Sequence, residues 1–416
     1  MKKILLLGGS AQQVIAIETA KKLGFYTILC DYLPDNPGQY SSDKFYQIST
    51  TDKESVLEVA KCEQIDGILA YASDPAAPTA AYVAEIMGLP GNPYESVEIL
   101  CNKDRFRRFL KENHFDTPVA HAYSKENTAV DQSSFHLPII VKPADSSGSK
   151  GVTVLYSWDC IDKAINFALM FSRSHRFIVE EYIEKKHPYL IGGDIFVLNG
   201  KVTLWGLLNC HRDNHVNDLV PTGKSYPLQL PSFDLERVKE ILQSIVDKLR
   251  IKNCAMNVEL LIDKENRVFP IDIGPRNGGN MIPDLLSYIF NVDIVEMSIK
   301  AAMGERIDNK AALINNACYA TYNLHSSANG IYAGISFSEK IKKHIIKECL
   351  YVKPGDKIEY FDNASKALGI LFFKFDSVKE MLHAMSHPDE WHSIEFLERK
   401  DEKEKWITVK LKGESL

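Results

Sequence analysis

Two carboxylates interrupt apolar runs in "NVELLIDKENRVFPIDIGPRNGG", which begins at Asn257: Glu259 and Asp272. A two-residue turn at Glu265-Asn266 would set position 259 directly opposite 272 on one face of a hairpin. Directly opposed side chains have Cβ atoms roughly 4.5–5.5 Å apart, and like charges there repel. A cation between them resolves the repulsion, and Mg²⁺ suits because it takes few protein carboxylates and completes its shell with water and phosphate oxygens. A three-residue turn would break that register. The competing reading is two solvent-facing acids on a half-exposed hairpin. Arg276 follows in the turn "GPRNGG", where a guanidinium can grip a carboxylate or phosphate in a bidentate fashion, or simply cap the turn. A second candidate is "IIVKPADSSGSKGV", from Ile139 to Val152. It is not a G-x-x-x-x-G-K-[ST] phosphate loop, since Lys150 lies between Ser149 and Gly151. Lys142 instead ends an apolar run ahead of a Ser/Gly loop. That describes either a lysine aimed at an anion or a buried strand with a snorkelling lysine.

The elements that must position these groups can be read along the chain. Residues 1–90 alternate apolar strands ("KKILLLGG", "FYTILCDY", "DGILAYA") with helical patterns, which predicts a parallel α/β sheet. Gly8-Gly9 lacks a full G-x-G-x-x-G and reads as a tight turn. In "GNPYESVEILCNKDRFRRFLKENHF", Asn92, Pro93 and Glu95 fit N-cap, N1 and N3 of one long bridging helix. Asn199-Gly200 between apolar runs predicts a two-residue hairpin turn. "DLERVKEILQSIVDKLR" is amphipathic, with Val238, Ile241, Leu242, Ile245 and Leu249 on one face. Beyond about residue 307 the chain reads as a smaller α+β unit, with strands "CYATYNLH" and "LGILFFKF" and a helix "SVKEMLHAM".

The bulk properties bound the function. With 416 residues, 25% charged, a net charge of −6 and pI near 6.1, the chain lacks the basic balance of a general nucleic-acid binder. The apolar run Ile4–Leu7 is too short for a signal peptide, and nothing is long enough to span a membrane. The eight cysteines show no C-x-x-C pair and read as reduced thiols of a cytoplasmic protein.

Taken in order, Lys103, "VKPADSSGSKG", "VEEYI", "NVEL" and "IDIGPRNGG" closely resemble the ATP-grasp enzymes, which include carboxylate–amine ligases, biotin carboxylase and the halves of carbamoyl-phosphate synthetase. The resemblance implies an α/β and α+β chain: a preATP-grasp parallel α/β domain with bridging helix at 1–117, an ATP-grasp lid subdomain at 118–183, a metal and substrate subdomain at 184–306, and a C-terminal α+β domain at 307–416. It implies ATP and Mg²⁺ (or Mn²⁺) as cofactors. Lys103 and Lys142 would contact phosphates, and Ser146, Ser147, Gly148, Ser149 and Gly151 would close over them. The strand holding Glu180, Glu181 and Ile183 would meet adenine, through the Glu180 carbonyl and the Ile183 N–H. Glu259 and Asp272 would hold the metal, and Arg276 with Lys142 would act in catalysis. Substrate contacts would come from His211, Arg212, Lys224, Asn277, Gly278 and Gly279; a polar surface loop is the other reading of His211, Arg212 and Lys224. Relatives usually carry Glu at Asp272 and Asn at Gly274, and a ribose-binding Glu near Leu190.

The expected reaction phosphorylates a carboxylate to an acyl phosphate and couples it to an amine. The alternatives are a bicarbonate-phosphorylating enzyme and a nucleotide-binding protein without turnover. Partners would be a small carboxylate and a small amine, with no nucleic acid or membrane; self-association as a homodimer is the assembly expected.

Overall fold

The computed structural model describes residues 1–146, 148–213, 217–308, 318–399 and 406–410. Ser147, one of the expected loop residues, lies outside them. The chain forms two compact units. The first takes in 1–147, 151–207 and 230–313; the second takes in 148–150, 208–229 and 314–416. Among the described residues, no helix is long and apolar enough to cross a membrane.

In the first unit, the strands Lys44–Gln47, Tyr26–Asp31, Lys3–Leu7 and Gly67–Leu69 lie side by side in that order, all parallel. The period-2 alternation of a strand splits "ILLL" between two cores. Ile4 and Leu6 pack with Ala16, Ile17 and Ile299, while Leu5 and Leu7 pack with Val56, Val59 and Val83. Gly8 sits at φ +104, and a Cβ there would meet the Gln13 carboxamide at 2.3 Å, so the glycine turn is filled by protein.

The bridging helix is two helices, Tyr94–Cys101 and Lys103–Glu112. The chain breaks at Asn102, whose extended backbone and side chain, accepting from Arg105 N at 3.1 Å, cap the second helix. Asn92 caps neither; its Oδ1 accepts from Lys252 N at 2.8 Å. Next comes an antiparallel sheet ordered Ala120–Ser124, Arg176–Glu181, Ile139–Pro143, Thr153–Leu155. The helix Ile161–Met170 covers one face with Ala164, Ile165 and Ala168 against Ile139, Val141, Phe177 and Val179.

The rest of the first unit centres on the antiparallel strands Val268–Gly274, Cys254–Ile262 and Leu190–Leu198. Asn199 and Gly200 both take positive φ (52° and 77°), as the two-residue hairpin turn requires. Helix Ser232–Lys248 buries Val238, Leu242, Ile245 and Val246.

The second unit pairs Asn217–Tyr226 with Tyr319–Leu324, then Gly369–Lys374, then Ile345–Leu350. Its core gathers Tyr322, Leu371, Phe373, Phe375, Met381 and Trp391. Met381 comes from the helix Val378–Ser386.

Candidate active site

The carboxylate pair lies in the first unit, on the hairpin Cys254–Ile262 and Val268–Gly274. Its turn is three residues long, Lys264 to Glu265 to Asn266, with Asp263 N donating to Arg267 O at 3.1 Å and Asn266 at φ 63°. The two-residue turn is therefore wrong. A three-residue turn alone would set Glu259 opposite Ile271. Instead Leu260 faces Pro270 and Glu259 faces Asp272, so Ile271 is an extra residue, a β-bulge that restores the carboxylates to one another.

Arg107 explains how the bulge is held. It is 4% exposed and lies one helical turn after Lys103, so both side chains leave the helix Lys103–Glu112 on one face. Its Nη2 donates to Ile271 O at 2.8 Å and its Nη1 to Pro270 O at 3.4 Å. Its Nε donates to Glu180 Oε1 at 2.8 Å. Glu180, 2% exposed, also pairs with Lys142 through its other oxygen. Burial favours the neutral carboxyl of Glu180, but Arg107 and Lys142 outweigh it and hold it below the usual range. For Lys142, burial is the leading influence and lowers its ammonium, against the Glu180 charge. Lys103 Nζ lies 3.4 Å from Asp272 Oδ2. Asp272 is more open, with its side chain 44% exposed; desolvation pushes its carboxyl up, and Lys103, Lys142, Arg276 and Arg107 together outweigh that and bring it down.

Arg276 is fixed from the other side. Its Nε donates to Asp74 Oδ1 at 2.7 Å, its Nη2 pairs with Asp74 Oδ2, and its Nη1 donates to Asn277 O at 3.0 Å. Gly274 makes this arrangement possible. A Cβ there would stand 2.4 Å from Asp74 Oδ1, so the space of the missing side chain holds the Asp74 carboxylate. Asp194, 1% exposed, pins the following turn by accepting from Gly278 N at 2.7 Å and Asn257 Nδ2 at 2.9 Å. Gly278 has no room for a Cβ, which would meet Asp194 Oδ1 at 2.6 Å. Asn277 is 1% exposed, with its Nδ2 buried and unpartnered among the described residues. Next to Gly279, Asn280 N donates to Gln12 Oε1 at 2.9 Å.

The strand Arg176–Glu181 runs between Ala120–Ser124 and Ile139–Pro143, with Glu180 level with Ala120 and Ile140. Ile183 lies just past its end, half-buried. Glu184 is exposed and pairs with Lys264. Ser146 and Gly151 belong to the first unit. Gly151 is at φ 72°, hemmed by Pro143 and Phe171.

The remaining expected residues belong to the second unit. Ser149 Oγ donates to Leu219 O at 2.8 Å, and Gly148 approaches Ala364. His211 lies opposite Gly223, and Cys210 opposite Lys224, on neighbouring strands. His211 Nε2 stands 2.8 Å from Ser225 Oγ. Burial, then the Lys224 charge, push its imidazole down to about 3. Lys224 is 8% exposed, with its ammonium on Cys210 Sγ, and Arg212 adjoins a bulge in the same strand.

Sequence reasoning missed Arg107 and Asp74. Arg107 had one signal, its i+4 spacing from Lys103. Asp74, in "YASDPAAP", had none beyond an acid after a strand.

Around this first-unit arrangement of two opposed carboxylates and four cations, part of the sequence matches a known family. Residues 135–284 match the model of the ATP-grasp domain. The chain carries an ATP-grasp domain over that segment. It is 28% identical over 318 residues to a formate-dependent phosphoribosylglycinamide formyltransferase of Prochlorococcus marinus, covering 73% of this chain and 77% of that protein. It is 22% identical over 326 residues to the carbamoyl phosphate synthase large chain of Pseudothermotoga lettingae. That match takes in 74% of this chain but spans only 28% of the relative. Among solved structures, an L-amino acid ligase from Bacillus licheniformis superposes with a TM-score of 0.80 at 18% identity, over 95% of this chain and 99% of that one. Phosphoribosylglycinamide synthetase from Anaerococcus prevotii gives 0.72 at 21% identity, with the same coverage. The relatives and neighbours named here include enzymes that form C–N bonds.

Proposed function

We propose that this ATP-grasp protein is an ATP-dependent ligase that activates a substrate carboxylate as an acyl phosphate and joins it to an amine. The observation that carries the reading is the register of Glu259 opposite Asp272 with Lys103 3.4 Å from the second acid. The residues fit a divalent cation: Glu259 and Asp272 are directly opposite in the strand register, and Asp272 is held ionised by its cationic neighbours. Held by Glu259 and Asp272, Mg²⁺ would supply charge neutralisation for phosphate oxygens. Lys103 and Lys142 are the chain's own phosphate-facing cations. Around Glu180 two cations, Arg107 and Lys142, share one carboxylate, which leaves positive charge for an incoming anion.

The chemistry needs no protein nucleophile. A carboxylate oxygen of the acid attacks the γ-phosphorus of ATP, and the bond to the β-γ bridging oxygen breaks to release ADP. The amine then attacks the acyl carbon, loses a proton, and expels phosphate. Catalysis is positioning and charge stabilisation. Arg276 receives the substrate carboxylate in exchange for Asp74, which keeps the guanidinium in place beforehand. Support for an amine acceptor comes from the relatives, whose names include a formate-dependent formyltransferase and an L-amino acid ligase.

A pooled screen of carboxylates against amines, read by phosphate release, finds the pair. With it, the products are ADP and phosphate. Oxygen-18 in the acid's carboxylate appears in the released phosphate, and hydroxylamine diverts the acyl phosphate to a hydroxamate. AMP and pyrophosphate as products, or unlabelled phosphate, would exclude an acyl phosphate. Turnover on bicarbonate alone would assign the chain to the bicarbonate-activating branch.

A further inference from the structure

The second unit holds a cluster of ligand-type side chains that the proposed reaction does not use. His344 sits in the turn before the strand Ile345–Leu350, Asp376 in the bend after Gly369–Lys374, and Glu380 in the first turn of the helix Val378–Ser386. One ligand atom from each lies within 4.8 Å of the other two.

The imidazole is held rigidly. His344 is 4% exposed, its backbone O accepts from Lys374 N at 2.9 Å, and its ring lies 4.7 Å from that of Phe375. Its Nδ1 is 3.0 Å from Lys374 O. A carbonyl oxygen can only accept, so Nδ1 carries a proton. In the neutral ring, Nε2 therefore presents its lone pair. That lone pair faces Glu380 Oε1 at 2.9 Å, with the Asp376 carboxylate beside it. A lone pair facing the Glu380 carboxylate is repulsive unless a proton or a metal ion lies between them, and the exposed Asp376 carboxylate stands within reach of the same point. Lys343 does not fill that role: its ammonium is 3.9 Å from Glu380 Oε1, and its side chain is 57% exposed. A backbone carbonyl fixing the far nitrogen is the usual outer support of a metal-binding histidine.

We infer that His344, Asp376 and Glu380 form a site for a zinc-class divalent cation. One imidazole with two carboxylates suits a borderline metal, whereas Mg²⁺ favours all-oxygen shells. Two ligands each about 2.0–2.1 Å from a common ion stand about 2.9 Å apart at a right angle and about 3.4 Å apart in a tetrahedron. At 2.9 Å, His344 Nε2 and Glu380 Oε1 stand at the right-angle separation, and a rotation of Glu380 that moves its oxygen off the imidazole axis opens the tetrahedral one. The remaining coordination position goes to water. The ion ties the turn before one strand to the start of the following helix.

The test titrates Zn²⁺ into the full chain, stripped of metal, against a chromophoric chelator. The Glu259→Gln/Asp272→Asn background removes the other facing carboxylates. One equivalent should bind, and His344→Gln or Glu380→Gln should each weaken it by about tenfold or more. Both variants keep the fold: Gln at 344 can still donate to Lys374 O, and Gln at 380 can donate to the neutral imidazole. Circular dichroism checks this. No micromolar Zn²⁺ binding in the background protein, or binding that both variants leave unchanged, would overturn the site and leave a His344–Glu380 ion pair only. Competition by millimolar Mg²⁺ would overturn the zinc-class assignment.

Discussion

Buried charge is placed differently in the two units, and single residues show how. Arg107 spends its guanidinium on one carboxylate and two backbone carbonyls, so it holds the bulge at Ile271 while sharing Glu180 with Lys142. Removing Arg107 would leave the Pro270 and Ile271 carbonyls without their donor and Glu180 with Lys142 alone, which is why its cost should exceed that of a surface arginine. His211 solves burial in the opposite way, by staying neutral. Its folded pKa is depressed from 6.5 to about 3, so between those values the unfolded chain binds a proton that the native chain refuses. Stability therefore rises with pH across that window and is lost as pH falls below about 6.5, by up to about 1.4 kcal/mol per pH unit. Urea unfolding at pH 7 and pH 5 should show His211→Gln losing about 2 kcal/mol less than the parent chain over that interval. Equal losses would mean that His211 is protonated in the folded state. The sequence carried no sign of this neutrality, because which face of its strand is buried depends on what packs against it rather than on the residues beside the histidine.

At the scale of elements, local signals and long-range ones part company. Asn199-Gly200 was legible because a two-residue turn with both φ positive is encoded in two residues. The alternating strands of residues 1–90 were legible because periodicity is local. The facing of Glu259 and Asp272 was reached by a wrong route. The turn has one more residue than expected, and the bulge adds one more in compensation, fixed by an arginine some 160 residues away in sequence. The split of the bridging helix at Asn102 was readable in principle, since Asn followed by a charged run is a cap signal. Gly274 is the clearest case of a residue explained only by its neighbours. It is not among the glycines with positive φ, so space rather than backbone freedom selects it. Gly274→Ala should cost about 1–3 kcal/mol, by pushing Asp74 off Arg276. In an Asp74→Ala background the same change should cost much less, a coupling that a double-mutant cycle of denaturant midpoints would reveal. Additive costs would mean that the Cβ meets something other than Asp74.

For the molecule as a whole, the expected segments 1–117, 118–183 and 184–306 fall mostly in the first unit, and 307–416 mostly in the second. The cations and carboxylates of the proposed nucleotide site, Lys103, Lys142, Glu259 and Asp272, all belong to the first, so nucleotide binding can be tested before the acid and amine are known. A ligand that binds only the folded chain stabilises it by mass action, by about 2.7 kcal/mol at one hundred times its Kd. For a unit of this size that corresponds to a rise in Tm of roughly 4–5 °C. MgADP should produce such a rise. Lys142→Ala should shrink it, because the shift compares one variant with and without nucleotide and so cancels any loss of basal stability. Glu259→Gln/Asp272→Asn makes the sharper comparison. In that variant ADP with Mg²⁺ and ADP with EDTA should shift Tm equally, since the metal has lost its protein ligands, whereas in the parent chain EDTA should remove most of the rise. A metal-dependent shift that survives both amide substitutions would place the cation elsewhere. The absence of any shift with MgADP in the parent chain would remove the nucleotide site itself, and the ligase reading with it.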